Sequence, residues 1–174
     1  MTPRAVSVIF SSYIGAGRLR RTLDALVGQT LPPERWELIA VDNNSTDDTF
    51  AILESYRGRL PITPIRHLVP GKSGALNRAL ELARGDVVVF TDDDVEADSN
   101  WLEAINAAAV ANPEFGIFGG RIVPDWEREP QGQPFLDWIP MGSTFAVVDE
   151  AASGPCDPTK VWGPNTAIRR QYLG

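Results

Sequence analysis

Residues 87–94 read Val87-Val88-Val89-Phe90-Thr91-Asp92-Asp93-Asp94. An unbroken apolar run of this length fits a strand buried on both faces, as the central strands of parallel sheets are. Three carboxylates end it. Strand and helix patterns alternate on either side. That alternation argues for an α/β fold, a Rossmann-like, mostly parallel sheet flanked by crossover helices. Ligands of such sheets bind outside the carboxyl ends of the strands, so the triplet stands where a site is expected.

Upstream, Leu76, Ala79, Leu80 and Ala83 form one helical face, with Ser73 as the expected cap and Gly85 as the stop. Ile62 to Leu68 reads as a strand, placed at an edge by Pro64. Ser45 with Asp48 three residues on predicts a capped helix through Phe50, Leu53 and Tyr56, ending at Gly58. Trp36 to Val41 is a strand that ends at Asp42. Leu19, Leu23, Leu26 and Val27 recur at helical spacing. They follow a first strand, Ala5 to Ser11, and the breaks at Gly15 and Gly17.

Downstream, a helix is expected from about Ser99, with Trp101, Leu102, Ile105, Ala108 and Ala109 inward. Phe115 to Val123 reads as a strand weakened by Gly119-Gly120. The alternation fails after Pro124. Residues 124–160 are rich in Pro, Gly, Trp and acid, with a short helix expected at Phe135 to Ile139 and a strand at Thr144 to Val148. Thr166 to Arg169 is a last strand, and a helix begins near Arg170.

Composition narrows the function. The 174 residues are 43% hydrophobic and 22% charged, ordinary globular usage. No apolar run approaches the roughly 20 residues of a membrane span, and the N-terminus lacks a signal-peptide core. The expectation is a cytoplasmic protein with no transmembrane segment. One cysteine, Cys156, excludes an internal disulfide; one histidine, His67, leaves little room for a Ser-His-Asp or Cys-His arrangement. Both read as structural. Residues 1–85 carry 11 Lys/Arg against 8 Asp/Glu, and residues 86–174 carry 5 against 15. No basic stripe for nucleic acid is present. A phosphorylated ligand beside the acidic half would need a metal cation between them.

Three strand ends carry polar groups: Ser11-Ser12, Asp42, and Asp92-Asp93-Asp94. If the strands are parallel neighbours, these face one crevice. Alternation along a strand sends Asp92 and Asp94 to one side and Asp93 to the other. Two carboxylates on one side suit a hard divalent ion, Mg²⁺ or Mn²⁺; the alternative is an acidic turn capping the next helix. Asp42 is either an acceptor for a ligand N–H or an acidic loop residue. Lys72, in Pro70-Gly71-Lys72-Ser73, precedes a helix N-terminus and could meet a phosphate or ribose, or be a solvated lysine. No P-loop or G-x-G-x-x-G is present.

In order and spacing these pieces resemble the inverting family 2 glycosyltransferases of GT-A fold. The resemblance is carried by Val6-Ser7-Val8-Ile9, Val27-Gly28-Gln29-Thr30 and Trp36 to Asp47. It continues through Gly71-Lys72-Ser73-Gly74-Ala75-Leu76-Asn77, Gly85-Asp86, Thr91 to Asp94, and Gly163-Pro164-Asn165-Thr166-Ala167-Ile168-Arg169-Arg170. It implies a nucleoside-diphosphate-sugar donor, a UDP-sugar first, and Mn²⁺ or Mg²⁺ as cofactor. The metal would sit on Asp92 and Asp94. The nucleotide and sugar would be contacted by Ser11, Ser12, Tyr13, Asp42, Lys72, Asn77, Asp92 and Asp93. Trp162, Gly163 and Asn165 would lie on the acceptor side, Trp162 alternatively packing in the core. The acceptor would be a glycan, a lipid-linked glycan or a small molecule, the last but one implying work at the inner membrane face.

The implied division is a nucleotide-sugar-binding part at 1–123 and the start of an acceptor-binding portion at 124–174. Where the family's first strand ends Pro-Thr-Tyr-Asn, this chain has Ser11-Ser12-Tyr13-Ile14. The family's general base lies beyond the Arg-Arg segment, past Gly174, so the expectation is a fragment without its base. Asp149, Glu150 and Asp157 are acids in other places. Two other readings stay open: a non-catalytic nucleotide-sugar-binding or interaction module, and a nucleotidyltransferase using Gly15-Ala16-Gly17-Arg18 as a thin phosphate loop.

Overall fold

A computed structural model describes residues 5–126, 138, 140–142, 146–149 and 153–173. Six strands form one sheet: β1 (Val6–Ser12), β2 (Trp36–Asp42), β3 (Ile62–Arg66), β4 (Val87–Phe90), β5 (Ile117–Gly119) and β6 (Thr166–Arg169), in the order β3-β2-β1-β4-β6-β5. The first four are mutually parallel, β3 at the edge as Pro64 requires, and β6 runs antiparallel to β4 and β5.

Among the described residues the sheet is covered by helices α1 (Leu19–Val27), α2 (Thr49–Ser55), α3 (Lys72–Leu80) and α4 (Trp101–Ala111). Alternation along the strands builds two cores. Val6, Val8 and Phe10 of β1 pack with Leu19, Leu23, Leu26, Leu53 and Leu102 on one face. Ile9, Ile39, Val41 and Val88 pack on the other against Ala75 and Ala79 of α3, whose small side chains bring the helix close. Burying Val87, Val88 and Val89 almost completely, at 3%, 0% and 0% exposure, contributes about 1.5–3 kcal/mol per side chain.

The chain proceeds from β1 outward to β2 and β3, then returns to place β4 on the other side of β1. The order of strands therefore reverses between β1 and β4, the position where such sheets open a crevice at their carboxyl edge.

Several local expectations are corrected. Val27 is exposed, so the α1 face ends at Leu26. Ser45 does not cap α2, which starts four residues later at Thr49, because the Ser45 hydroxyl is engaged elsewhere. Ser73 lies inside α3, which opens from Gly71 at φ +146°, a conformation for which glycine is suited. The strand expected over Phe115 to Val123 shrinks to β5, with Ile122 adding one isolated bridge to Val148. Near Arg170 a 3-10 turn stands in place of a helix. The helix expected at Phe135 to Ile139 and most of the strand from Thr144 lie outside the described residues.

Candidate functional site

β1 and β2 pair in register from Val6↔Trp36 to Ser12↔Asp42, so Ser12 and Asp42 finish side by side. β4 pairs on the other flank of β1 with Ile9 opposite Phe90, and the backbone N–H of Thr91 donates to the Ile9 carbonyl. The acid triplet leaves the sheet beside the end of β1. Ser12, Asp42 and Asp92 to Asp94 thus share one edge, as parallel neighbours must.

The loop after β1 is fixed by the loop after β2. Three successive N–H groups are received by side chains: Ile14 by Ser45 Oγ at 3.0 Å, Gly15 by Thr49 Oγ1 at 2.8 Å, Ala16 by Asp47 Oδ2 at 3.0 Å. Asp47 also accepts from the Thr49 N–H at 3.1 Å. Burial pushes the Asp47 carboxyl up, but the Thr49 hydroxyl and the N–H groups of Ala16 and Thr49 outweigh it and hold the group below the usual range. The spacing of Ser45, Asp47 and Thr49 thus serves to shape the β1–α1 loop. The N–H groups of Gly15 and Ala16 are thereby engaged within the chain.

Asp42 is 2% exposed. Its Oδ1 accepts the Ser45 N–H at 2.9 Å, and its Oδ2 lies 3.6 Å from Arg66 Nε. Arg66 in turn stacks 4.4 Å from the centre of the Phe50 ring. Asn43 accepts the Gly71 N–H through its side-chain oxygen at 3.1 Å, which ties the α3 entry to the end of β2. Lys72 then points its ammonium at Asp92 Oδ1, 2.5 Å away. Asn77 is exposed further along α3, and Tyr13 is exposed beyond β1.

The triplet lies past the end of β4, with Asp93 and Asp94 in a turn where strand alternation no longer applies, and its members differ in exposure. Asp93 is buried; Asp92 is half-buried and Asp94 exposed. The Asp93 carboxylate accepts from the Ser12 hydroxyl and, at 3.0 Å each, from Arg18 Nε and Nη2. Hydrogen bonding to Asp93 raises the Arg18 guanidinium further above its ordinary range. Asp94 makes no hydrogen bond or ion pair among the described residues. Nor do any three His, Cys, Asp or Glu side chains there form a metal cluster. Asp92 and Asp94 could hold a hard divalent ion whose remaining ligands are phosphate oxygens and water, the usual manner of Mg²⁺ in phosphate sites.

A cavity of about 280 Å³ opens beside Asp92, walled by Lys72, Leu76, Phe90, Gly163, Thr166 and Ile168. Gly163 is thereby brought to the site. Asn165 is committed to structure: its oxygen accepts from Trp101 Nε1 at 2.9 Å and its amide donates to the Arg121 carbonyl at 3.3 Å. Trp162 is half-buried, its carbonyl accepting from Thr166 Oγ1 at 2.6 Å. Ser11 is half-buried at the end of β1. Asp149 pairs with Arg121 at 2.6 Å, and Asp157 caps its own turn through Thr159; Glu150 lies outside the described residues. Hydrogen bonding by Arg121 and by Thr159, respectively, lowers both carboxyls from their ordinary value. Among the described residues no helix is long and apolar enough to cross a membrane.

Sequence reasoning met Arg18 only as the end of a thin phosphate loop and Asp47 only within the family stretch, without their partners, and it passed over the partner of Ser45, Thr49 and Arg66.

Known proteins resemble this chain in sequence and fold. The poly(ribitol-phosphate) beta-glucosyltransferase of Bacillus spizizenii is 34% identical over 92 residues, 51% of this chain and 14% of that protein. Among solved structures, Staphylococcus aureus TarS in complex with UDP-GlcNAc is 29% identical with a TM-score of 0.59, over 70% of this chain and 37% of that one. A mannosyltransferase of Pyrobaculum calidifontis in complex with GDP-Man and Mn²⁺ is 26% identical with a TM-score of 0.69, over 99% of this chain and 46% of that one. The chain thus spans less than half the length of each. The pattern of glycosyl transferase family 2 matches residues 7–173. With a GT-A-like sheet and its acids at the strand ends, this chain belongs to glycosyl transferase family 2.

Proposed function

We propose that this chain forms the donor site of an inverting, metal-assisted glycosyltransferase using a UDP-sugar. The observation that carries the reading is the meeting of Asp42, Lys72 and Asp92 to Asp94 at one sheet edge, with Lys72 Nζ 2.5 Å from Asp92. Asp42 accepts a hydrogen bond from an N–H of the base. Lys72, together with Asn77, faces the nucleotide from α3, while Ser11, Ser12 and Tyr13 line it from β1. Asp92 and Asp94 would hold Mn²⁺ or Mg²⁺. When bound, the ion supplies charge neutralisation for the departing nucleoside diphosphate. Gly163 and Trp162 face the acceptor side, next to the cavity. The UDP complex of TarS and the manganese complex of the mannosyltransferase support the donor and metal class.

Inverting transfer also needs a carboxylate to take the acceptor proton. None of the described acids is assigned that part, since Arg121 holds Asp149 and Thr159 holds Asp157. That observation favours one second reading: a module that binds a nucleotide sugar or a partner and does not itself catalyse transfer. The acceptor is proposed to be a glycan, free or lipid-linked, or a small hydroxylated molecule.

Calorimetric titration of UDP in Mn²⁺ and then EDTA tests the donor site. Manganese-dependent binding that disappears in Asp92→Ala/Asp94→Ala is expected. Binding indifferent to both changes would remove the basis of the reading. A transfer assay separates the enzyme from the binding module.

A further inference from the structure

Asp93 is the middle acid of the triplet, yet its geometry is that of an anchored group. Its side chain is 10% exposed, and both oxygens are occupied: Oδ1 by Arg18 Nε, Oδ2 by Arg18 Nη2 and the Ser12 hydroxyl. Two parallel N–H···O bonds from one guanidinium to one carboxylate fix orientation as well as distance. The same guanidinium also donates to the Ile14 carbonyl through Nη1 and the Tyr13 carbonyl through Nη2, each at 3.3 Å. One side chain at the start of α1 therefore fastens the loop after β1 to the loop after β4, across the point where the strand order reverses.

The contact has been cleared of other atoms. A Cβ at Gly15 would fall 2.1 Å from Ser12 Oγ and 2.7 Å from Asp93 Oδ2. Only glycine allows the two loops to close on each other there. With Asp93 held inward, the residues on either side of it are left half-buried and exposed.

We propose that Arg18 is a positioning residue for the donor metal site: through Asp93 it sets the posture of Asp92 and Asp94 without touching donor or metal itself. This rests on the donor reading above. Partners one step removed from a metal ligand ordinarily change metal affinity about 10- to 100-fold when removed.

The test is the Mn²⁺ concentration needed for half-maximal UDP binding, measured by calorimetry in the unaltered chain, Arg18→Met, Arg18→Lys and Asp93→Asn, with thermal stability alongside. The expected result is a rise of about tenfold or more in Arg18→Met and Asp93→Asn, and UDP binding in EDTA equal to that of the unaltered chain. Arg18→Lys keeps the charge but loses the fork, and should recover part of the loss; it also serves if Arg18→Met does not fold. The double variant Arg18→Met/Asp93→Asn should be no worse than either single one. A lowered melting temperature with an unchanged manganese requirement would overturn the proposal and leave a structural ion pair. If the unaltered chain shows no manganese-dependent UDP binding, the donor reading fails first and this inference with it.

Discussion

Lys72 Nζ and Asp92 Oδ1 stand 2.5 Å apart, joining the first turn of α3 to the acid loop that follows β4. The ammonium occupies space next to a carboxylate proposed to bind a divalent ion, so cation and lysine compete for it. On the proposed donor reading, a bound nucleotide would resolve the competition by giving Lys72 a phosphate to face. Lys72→Met should therefore have opposite effects on the two ligands. Mn²⁺ binding without nucleotide should tighten by about threefold, the scale of a partly exposed ion pair. UDP binding in saturating Mn²⁺ should weaken by about tenfold. Parallel titrations of Mn²⁺ and UDP measure both, and weakening of both would mean that Lys72 only supports the loop.

Substitution can separate the loop contact of Asp42 from its proposed contact with the nucleotide base. Its Oδ1 holds the Ser45 N–H inside the β2–α2 loop, where the carboxylate is 2% exposed. Asp42→Ala strands that donor and should cost about 1–3 kcal/mol in urea unfolding. Asp42→Asn keeps an oxygen for Ser45 and should cost clearly less. Both should lose UDP affinity by about 10-fold or more, because the amide cannot replace a charged acceptor on its other side. If Asp42→Asn binds UDP normally, Asp42 serves the loop alone.

Local pattern carried most of the fold. The Val87 to Phe90 run, the edge strand with Pro64 and the spacing of Leu19, Leu23 and Leu26 report periods of two and 3.6, which depend on neighbours in sequence. Parallel order then placed Asp42 and the acid triplet on one edge. What escaped depends on distant partners. Ser45 and Asp48 match a capping pattern, but the Ser45 hydroxyl receives the Ile14 N–H from 31 residues away. Arg18 reads at most as the end of a thin phosphate loop, and its partner Asp93 lies 75 residues downstream. Arg66 is an unremarked edge-strand cation until the sheet sets it beside Asp42. No spacing rule in one sequence reaches across such separations.

Ile14 sits at φ +49°, a conformation that is unfavourable for β-branched residues and tolerated by asparagine. The Ser45 hydroxyl and the Arg18 guanidinium hold it there through its N–H and carbonyl. The residue is 45% exposed, so little core packing offsets the strain. Ile14→Asn, the residue that family members carry at this place, should raise stability by about 1 kcal/mol. The urea midpoint should rise with an unchanged slope. A lower midpoint would mean that the exposed Ile14 side chain makes contacts worth more than the strain.

Asp47 gives the loop a dependence on pH whose sign follows from its environment. Its carboxyl lies below the usual range in the folded chain, because the Thr49 and Ala16 donors stabilise the charged form more than burial opposes it. The ordinary value, about 3.9, applies to the unfolded chain. The unfolded state therefore takes up the proton first as pH falls. The resulting stabilisation is complete above about pH 4 and is lost as pH drops through the lower folded value. Protonation removes an acceptor from the Ala16 N–H and loosens the loop that carries Tyr13 and Ile14. Asp47→Asn abolishes the titration while keeping one oxygen acceptor. Melting temperatures of the two chains should thus differ by a constant amount near neutrality and converge below about pH 4. A difference that stays constant down to about pH 3 would show that Asp47 does not couple the loop to protonation.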